Sequence, residues 1–210
     1  MKFDEKIKQY KEKLDGHLCE LMDDLINRAK DSHLKINYQF IKEYVFAWIP
    51  GIGEKPFSVM DDEPLTIGVL ERGEFTKKFC SLKKGDEFFI RGPYGQGINV
   101  KQGSNVVLVG GGCGIAGIYL LAKILSKKAN VISLLGAKDK DHIPYLNEFK
   151  EFGEVRVATE DGSYGKKGIV SDLFYNLPSE CYFFNCGPKK MVEAVLDYEL
   201  KKSSRERIYS

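Results

Sequence analysis

The residues best equipped for chemistry lie in VVLVGGGCGIAGIYLLAK, residues 106–123, where a β-branched run breaks into glycines and continues as an apolar helix. Gly110, Gly111, Gly112 and Gly114 let the backbone turn sharply and approach a ligand with no side chain in the way. The free N–H groups and positive dipole end of the following helix then face whatever the turn holds, which suits a nucleotide pyrophosphate. A turn of this kind is also built where nothing binds. Residues 105–122 carry no charge, so a membrane span is a third reading. Glycines at its centre, a length that barely crosses a bilayer and the lack of a second apolar segment argue against the span.

Two further strings should lie at the same edge. Asn185-Cys186-Gly187-Pro188-Lys189-Lys190-Met191 follows the apolar run CYFF and opens a helix, so Cys186 is expected at a strand end facing a ligand, with packing in the core as the plainer alternative. The loop Thr159-Glu160-Asp161-Gly162-Ser163-Tyr164-Gly165 also ends a strand, although Asp-Gly is ordinary turn chemistry. Three glycine-bearing loops on one edge argue for a ligand more strongly than any one of them. Upstream, Glu54-Lys55-Pro56-Phe57-Ser58 places a cation, a rigid proline, an aromatic face and a hydroxyl side by side. Those parts suit a flavin, with Lys55 near phosphate, Phe57 beside a ring and Ser58 on a polar chain; a strand entering a turn is the alternative. Thr76, in Gly73-Glu74-Phe75-Thr76, is expected to N-cap a short helix over 77–82, giving a second anion site. Arg91-Gly92-Pro93-Tyr94-Gly95-Gln96-Gly97 follows.

The elements that must carry these residues divide the chain. Phe3, Ile7, Tyr10, Leu14, Leu18, Leu21, Leu25 and Ile26 recur at helical spacing, as one helix or as two broken at Gly16. From His33 the texture becomes short aromatic strands, HLKINYQF, EYVFAWIP, LTIGVLE and DEFFIRG, punctuated by glycine and proline, which reads as a small antiparallel barrel. After Gly103 strand and helix alternate: VVLVG, IYLLAKIL, VISLLGA, PYLNEFKEF, EVRVATE, IVSDLFYNL, CYFFNCG, MVEAVLDYELKK. That pattern specifies a parallel sheet covered by helices on both faces. The expected fold is thus all-β plus α/β: a helical segment over 1–32, an antiparallel barrel over 33–102 and a Rossmann-like unit over 103–210.

Composition narrows the function. The 210 residues are 43% hydrophobic and 30% charged, an ordinary globular balance, and 32 basic against 30 acidic residues leave a net charge of +2. Such a balance gives no electrostatic case for nucleic acid or a membrane surface. The opening MKFDEKIKQYKEK lacks the apolar core of a signal peptide, so the expected location is the cytoplasm. Cys19, Cys80, Cys113, Cys181 and Cys186 are scattered and form no C-x-x-C pair, which supports neither a disulfide framework nor a zinc or iron–sulfur site.

Taken in order, KPFS, GEFT, GPYGQG, GGGCGIAG, EDGSYG and CGPKKM resemble the ferredoxin–NADP reductase superfamily, in the branch of the dihydroorotate dehydrogenase electron-transfer subunits and related NAD(P)H–flavin subunits. The resemblance spans residues 41–210 and implies a barrel holding FAD beside a domain holding the nicotinamide nucleotide. By position it implies flavin contacts for Lys55, Pro56, Phe57, Ser58, Gly68, Val69, Leu70, Gly73, Phe75 and Thr76. It implies nicotinamide-nucleotide contacts for Gly111, Gly112, Gly114, Ile115, Asp161, Gly162, Cys186, Gly187, Pro188 and Met191, with Cys186 beside the reacting ring. Lys55 stands where the family usually has arginine, keeping the charge but not the two-pronged fork. Gly117 stands where proline is common. Members of this branch continue past the position of Tyr209-Ser210 into cysteines that ligate a [2Fe–2S] cluster, so no cluster is expected within this chain. The implied activity is NAD(P)H-dependent electron transfer through FAD to a partner protein or catalytic subunit. The alternatives are a stand-alone flavin reductase and a nucleotide-binding scaffold or sensor without catalysis.

Overall fold

The structure, a computed structural model, describes residues 44–209 except Glu63, Gln96, Gly97 and Asn99. The helices expected over 3–29 and the strand HLKINYQF lie outside the described residues, as do Gln96 and Gly97 of GPYGQG.

Strand β1, Tyr44–Ile49, alternates as its sequence demands: Val45, Ala47 and Ile49 are buried, while Tyr44, Phe46 and Trp48 take the other face. It pairs antiparallel with β2, Gly53–Asp62, and with β4, Phe89–Tyr94, and β2 pairs with the short β3, Leu65–Ile67, giving the order β3-β2-β1-β4. Strand β2, the longest of these, matches the strand alternative for Glu54–Ser58 and extends it on both sides, although Gly53, Pro56 and its charges break any apolar alternation. Pro56 is tolerated because β3 pairs only with Val59, Asp61 and Asp62, leaving β2 an edge at the proline. Across β1, Arg91 makes a two-pronged ion pair with Glu54, at 2.6 and 2.9 Å, while its guanidinium lies 4.0 Å from the Phe46 ring centre.

Helix α1, Glu74–Cys80, begins three residues before the expected start. Gly73, with an extended backbone, is its N-cap, and Thr76 is the third helical residue. The Thr76 Oγ1 accepts from the backbone N–H of Arg72 at 2.9 Å and of Gly73 at 3.0 Å, the reach-back half of a capping box. The expectation of a Thr76 N-cap is corrected accordingly.

The second sheet is parallel throughout, in the order β10-β9-β5-β6-β7-β8. Its strands are β5, Asn105–Gly111; β6, Asn130–Ala137; β7, Glu154–Thr159; β8, Lys166–Lys167; β9, Tyr182–Cys186; and β10, Ile208–Tyr209. Strand β5 is buried from Val106 to Gly111, as a central parallel strand covered on both faces must be. Helix α2, Gly114–Leu125, and helix α3, Leu146–Phe152, cover one face; helix α4, Lys189–Lys202, covers the other. IVSDLFYNL, read as a helix, forms only a 3-10 turn at Val170–Leu173.

Helix α2 explains the uncharged stretch that admitted a membrane reading. Ile115, Ile118, Leu121 and Leu125 pack on the parallel sheet, while Leu120 and Ile124 pack against Val45 and Val59 of the antiparallel one. A helix held between two sheets is apolar almost all round. Burying Leu120 and Ile124 is worth roughly 1.5–3 kcal/mol each, enough to fix one sheet relative to the other. The first charge, Lys123, pairs with Asp61 of β2 at 2.7 Å. No helix among the described residues is long and apolar enough to cross a membrane.

Candidate functional site

In the parallel sheet the chain runs outward from β5 through β6 and β7, then returns to β9 on the other side of β5. The β5–β9 boundary is therefore the point where strand order reverses, and in open parallel sheets the crevice outside such a boundary is where ligands bind. Both loops there open into helices. Cys113 is the N-cap of α2 and Pro188 of α4; neither helix has a side-chain cap or an acidic residue in its first turn. Two uncapped N-termini thus face one crevice with their dipoles unopposed, an arrangement matched to an anion.

The loops interlock through missing side chains. A Cβ on Gly111 would strike the Met191 sulfur, one on Gly114 would strike the Cys186 carbonyl, and one on Gly187 would come 2.7 Å from the Met191 methyl. A Cβ on Gly117 would stand 2.7 Å from the Cys186 Sγ and 3.3 Å from the Ser58 Oγ. Gly68, just after β3, would press a Cβ against Ala116 at 2.8 Å and the Met60 sulfur at 2.9 Å. The start of α2 is thus the meeting point of Ser58 and Gly68 from one sheet with Cys186 from the other. Gly112 is different: exposed, at φ +54°, with nothing within 4 Å of the place a Cβ would take, it leaves open space at the turn.

The structure therefore brings together Ser58, Gly68, Gly111, Gly114, Ile115, Cys186, Gly187, Pro188 and Met191, with Gly112 at the mouth. Other candidates stand apart. Asp161 and Gly162 follow β7, two strands from β5 and so about 10 Å along the edge. The Asp161 carboxylate accepts from Ser163 N and Oγ at 2.9 and 2.7 Å, and these bonds, the backbone one foremost, hold it below the usual carboxylate range. Ser163 Oγ in turn accepts from Lys140 N, tying the loops after β6 and β7 together. Hence two of the three loops expected to converge interlock, and the third flanks them. Phe57 lies opposite Val45 and packs its ring on Phe79 and Phe75, at centroid distances of 5.6 and 6.2 Å. It faces protein aromatics rather than the Ser58–Cys186 junction, because strand alternation turns it away from Ser58. Lys55 and Pro56 are exposed, Val69 is half-buried, and Leu70 is 51% exposed beyond the end of β3.

Sequence reasoning missed a buried polar pair behind this site. Asn185, the residue before Cys186, donates Nδ2 to Glu199 Oε2 of α4 at 2.9 Å. The signal was a glutamate on the stripe Val192, Val195, Glu199, whose spacing marks the buried face of α4. Among the described residues, no group of three or more His, Cys, Asp or Glu is placed to hold a metal ion.

An antiparallel sheet joined through one shared helix to a parallel sheet, with a glycine turn at the switch point, defines the ferredoxin–NADP reductase-like class. The FAD/NAD-binding domain of a nitric oxide dioxygenase from Vibrio cholerae O1 biovar El Tor shares the fold, at a TM-score of 0.67 and 18% identity over 81% of this chain and 84% of that one. An NADH-dependent reduced ferredoxin–NADP oxidoreductase, described for flavin-based electron bifurcation, superposes at a TM-score of 0.65 with 30% identity, over 80% of this chain and 62% of that chain. No family model matches the sequence. Curated relatives do. The probable dihydroorotate dehydrogenase B (NAD(+)), electron transfer subunit, of Thermococcus kodakarensis is 36% identical over 190 residues, 88% of this chain and 80% of that protein. The Pyrococcus horikoshii protein of the same name is 39% identical over 169 residues, 79% of this chain and 67% of its own length. The Caldanaerobacter subterraneus subunit is 38% identical over 151 residues, with 60% of its length spanned. The chain belongs to the family of dihydroorotate dehydrogenase B electron transfer subunits.

Proposed function

We propose that the chain binds FAD and a nicotinamide nucleotide and passes electrons from NAD(P)H, through the flavin, to a partner catalytic subunit. The observation that carries this reading is the Ser58–Gly117–Cys186 junction, where residues from both sheets meet beside two uncapped helix N-termini. The division into a flavin-binding unit over 33–102 and a nicotinamide-nucleotide unit over 103–210 belongs to the same proposal. The relatives' names, electron transfer subunits of dihydroorotate dehydrogenase B, supply the class of partner: the subunit at which dihydroorotate is oxidised.

The residues present fit these groups. The open space over Gly112, with the uncapped start of α2 behind it, is a cradle for a pyrophosphate in which a side chain at position 112 would intrude. Gly111, Gly114 and Gly187 let the β5 and β9 loops close on each other, which sets the crevice's depth. Bound together, the two cofactors supply hydride transfer between nicotinamide C4 and flavin N5. The chain's own work would be orientation: Cys186 would pack against one ring, Ser58 would offer a hydroxyl to the polar edge of the other, and Lys55 and the Gly73–Thr76 turn would hold the flavin's phosphates. Asp161 and Gly162 belong to the outer wall of the nucleotide crevice, which rests on Pro188 and Met191 at its inner end.

The test is the flavin itself. Protein purified without added cofactor is expected to be yellow and to release FAD on denaturation, and the bound flavin should bleach on anaerobic addition of NADH or NADPH. Colourless protein that does not take up FAD would favour the scaffold reading. Yellow protein that reduces small acceptors but passes no electrons to a dihydroorotate-oxidising subunit would favour the stand-alone reductase.

A further inference from the structure

The Asn185–Glu199 pair poses a problem of hydrogen bonding that one proton solves. Glu199 is fully buried and Asn185 is 7% exposed. One bond joins them, Asn185 Nδ2 to Glu199 Oε2, and the two atoms left over, Asn185 Oδ1 and Glu199 Oε1, are both buried without a partner. With Glu199 ionised, both leftover atoms are acceptors, and burying them unsatisfied is costly. A proton on Oε1 would turn it into a donor matched to the unpartnered Asn185 carbonyl oxygen, so that acid and amide would close a ring of two hydrogen bonds. The surroundings agree. The group facing Glu199 from β9 is the neutral Asn185, and from the turn before β10 it is Arg205, whose Nη1 is spent on the Ile208 carbonyl at 2.9 Å. Among the described residues no cation stands within ion-pair distance of Glu199.

We propose that Glu199 is held as a neutral carboxylic acid that clasps the Asn185 amide, and that this clasp is a positioning device for the Cys186–Pro188 turn. Asn185 is the last buried residue of β9, and Glu199 lies in the third turn of the helix that the turn opens, so the clasp fixes how strand and helix sit about it. Burial foremost pushes the Glu199 carboxyl up to about 7, against the pull of Asn185 and Arg205, so loss of the proton falls within reach of neutral pH. The clasp stands on geometry alone; its consequence for nucleotide affinity rests on the nicotinamide-site reading proposed above.

The experiment compares the wild-type chain with Glu199→Gln, which keeps shape and cannot ionise, from about pH 6 to about pH 9. Infrared difference spectra should show the carbonyl stretch of a buried carboxylic acid in the wild type at the acid end, lost with a midpoint near 7 and absent from Glu199→Gln. Over the same range, hydrogen exchange of the segment 182–191, corrected for intrinsic rates, should quicken in the wild type and stay level in the variant. NADH affinity should weaken by roughly fivefold in the wild type alone. Absence of the acid band at the low end overturns the proposal, and a band that titrates while exchange stays level overturns the positioning role. Failure of both proteins to bind NADH at any pH counts against the nicotinamide reading and leaves the infrared and exchange results to decide the clasp. If Glu199→Gln does not fold, the wild-type series carries the test, since band and exchange must then change together.

Discussion

Ser58 Oγ and Cys186 Sγ converge on the same point in space, the place a side chain would take at Gly117, at 3.3 and 2.7 Å. They come from different sheets, and glycine at 117 is what lets them meet. Alanine there would force Cys186 off its rotamer but touch no backbone, so Gly117→Ala should fold, with a melting temperature within a few degrees of the wild type. It should slow reduction of bound flavin by NADH on the order of tenfold, because misplacement at the junction costs alignment more than binding. Unchanged reduction kinetics would show that the junction does not orient the reacting groups.

Two other glycines in the same loop should behave differently. Gly114→Ala drives a Cβ into the Cys186 backbone carbonyl, which neither loop can yield, and should cost about 3 kcal/mol by denaturant unfolding. Gly112→Ala meets no atom but keeps a left-handed backbone at φ +54°, and should cost about 1 kcal/mol. Its larger effect should be on nucleotide affinity, since the methyl group would enter the space assigned to the pyrophosphate. Equal destabilisation by the two changes would contradict the interlocked-loop geometry.

Thr76 and Ser58 separate in the same way. The Thr76 hydroxyl is tied to Arg72 and Gly73, so Thr76→Ala should loosen the start of α1 by about 1 kcal/mol and lower flavin content through the loop's shape. Ser58→Ala removes a hydroxyl at the junction and should retain the fold of α1 while weakening FAD binding. The double variant should be colourless, read as the ratio of flavin to protein absorbance; full flavin occupancy would place the flavin elsewhere.

Stability should fall with rising pH through neutrality. Glu199 is raised in the folded chain from 4.5 to about 7, so folding binds its proton more tightly. The stabilisation is complete below the ordinary carboxylate range and is lost as pH rises through about 7, a change of about 3 kcal/mol. Glu54, held down by its hydrogen bond from Arg91, Asp139 and Asp161 are shifted the other way and act at more acid pH; among the described residues Glu199 is the carboxylate raised toward neutrality. Urea unfolding midpoints should decline across this window in the wild type and hold level in Glu199→Gln.

Much of this was legible in the sequence where one residue type answers one local demand. The glycines of 110–114 announce a turn because nothing else can make it, and the alternation after Gly103 announces the parallel sheet. Strand β2 was legible only in part, as the strand alternative for Glu54–Ser58, since its right to a proline depends on β3 being too short to pair with it there. Thr76 was misplaced by the same kind of dependence: a hydroxyl near a helix start can cap from outside or reach back from inside, and only the backbone of Gly73 decides which. The separation of Asp161 from Cys186 follows from strand order, which local residue patterns do not encode. Glu199 carried a signal, a carboxylate on an apolar stripe, but its meaning lay in the partner across the sheet–helix gap.

The most direct test of the central claim is single-turnover reduction of the FAD-loaded protein by NADH in stopped flow, wild type against Cys186→Ser. Serine nearly keeps the size but changes polarity and packing at the junction, so flavin reduction is expected to slow on the order of tenfold while FAD content and NADH affinity hold. Reduction of Cys186→Ser at the wild-type rate would contradict the assignment of the Ser58–Cys186 junction as the place where electrons pass between nicotinamide and flavin.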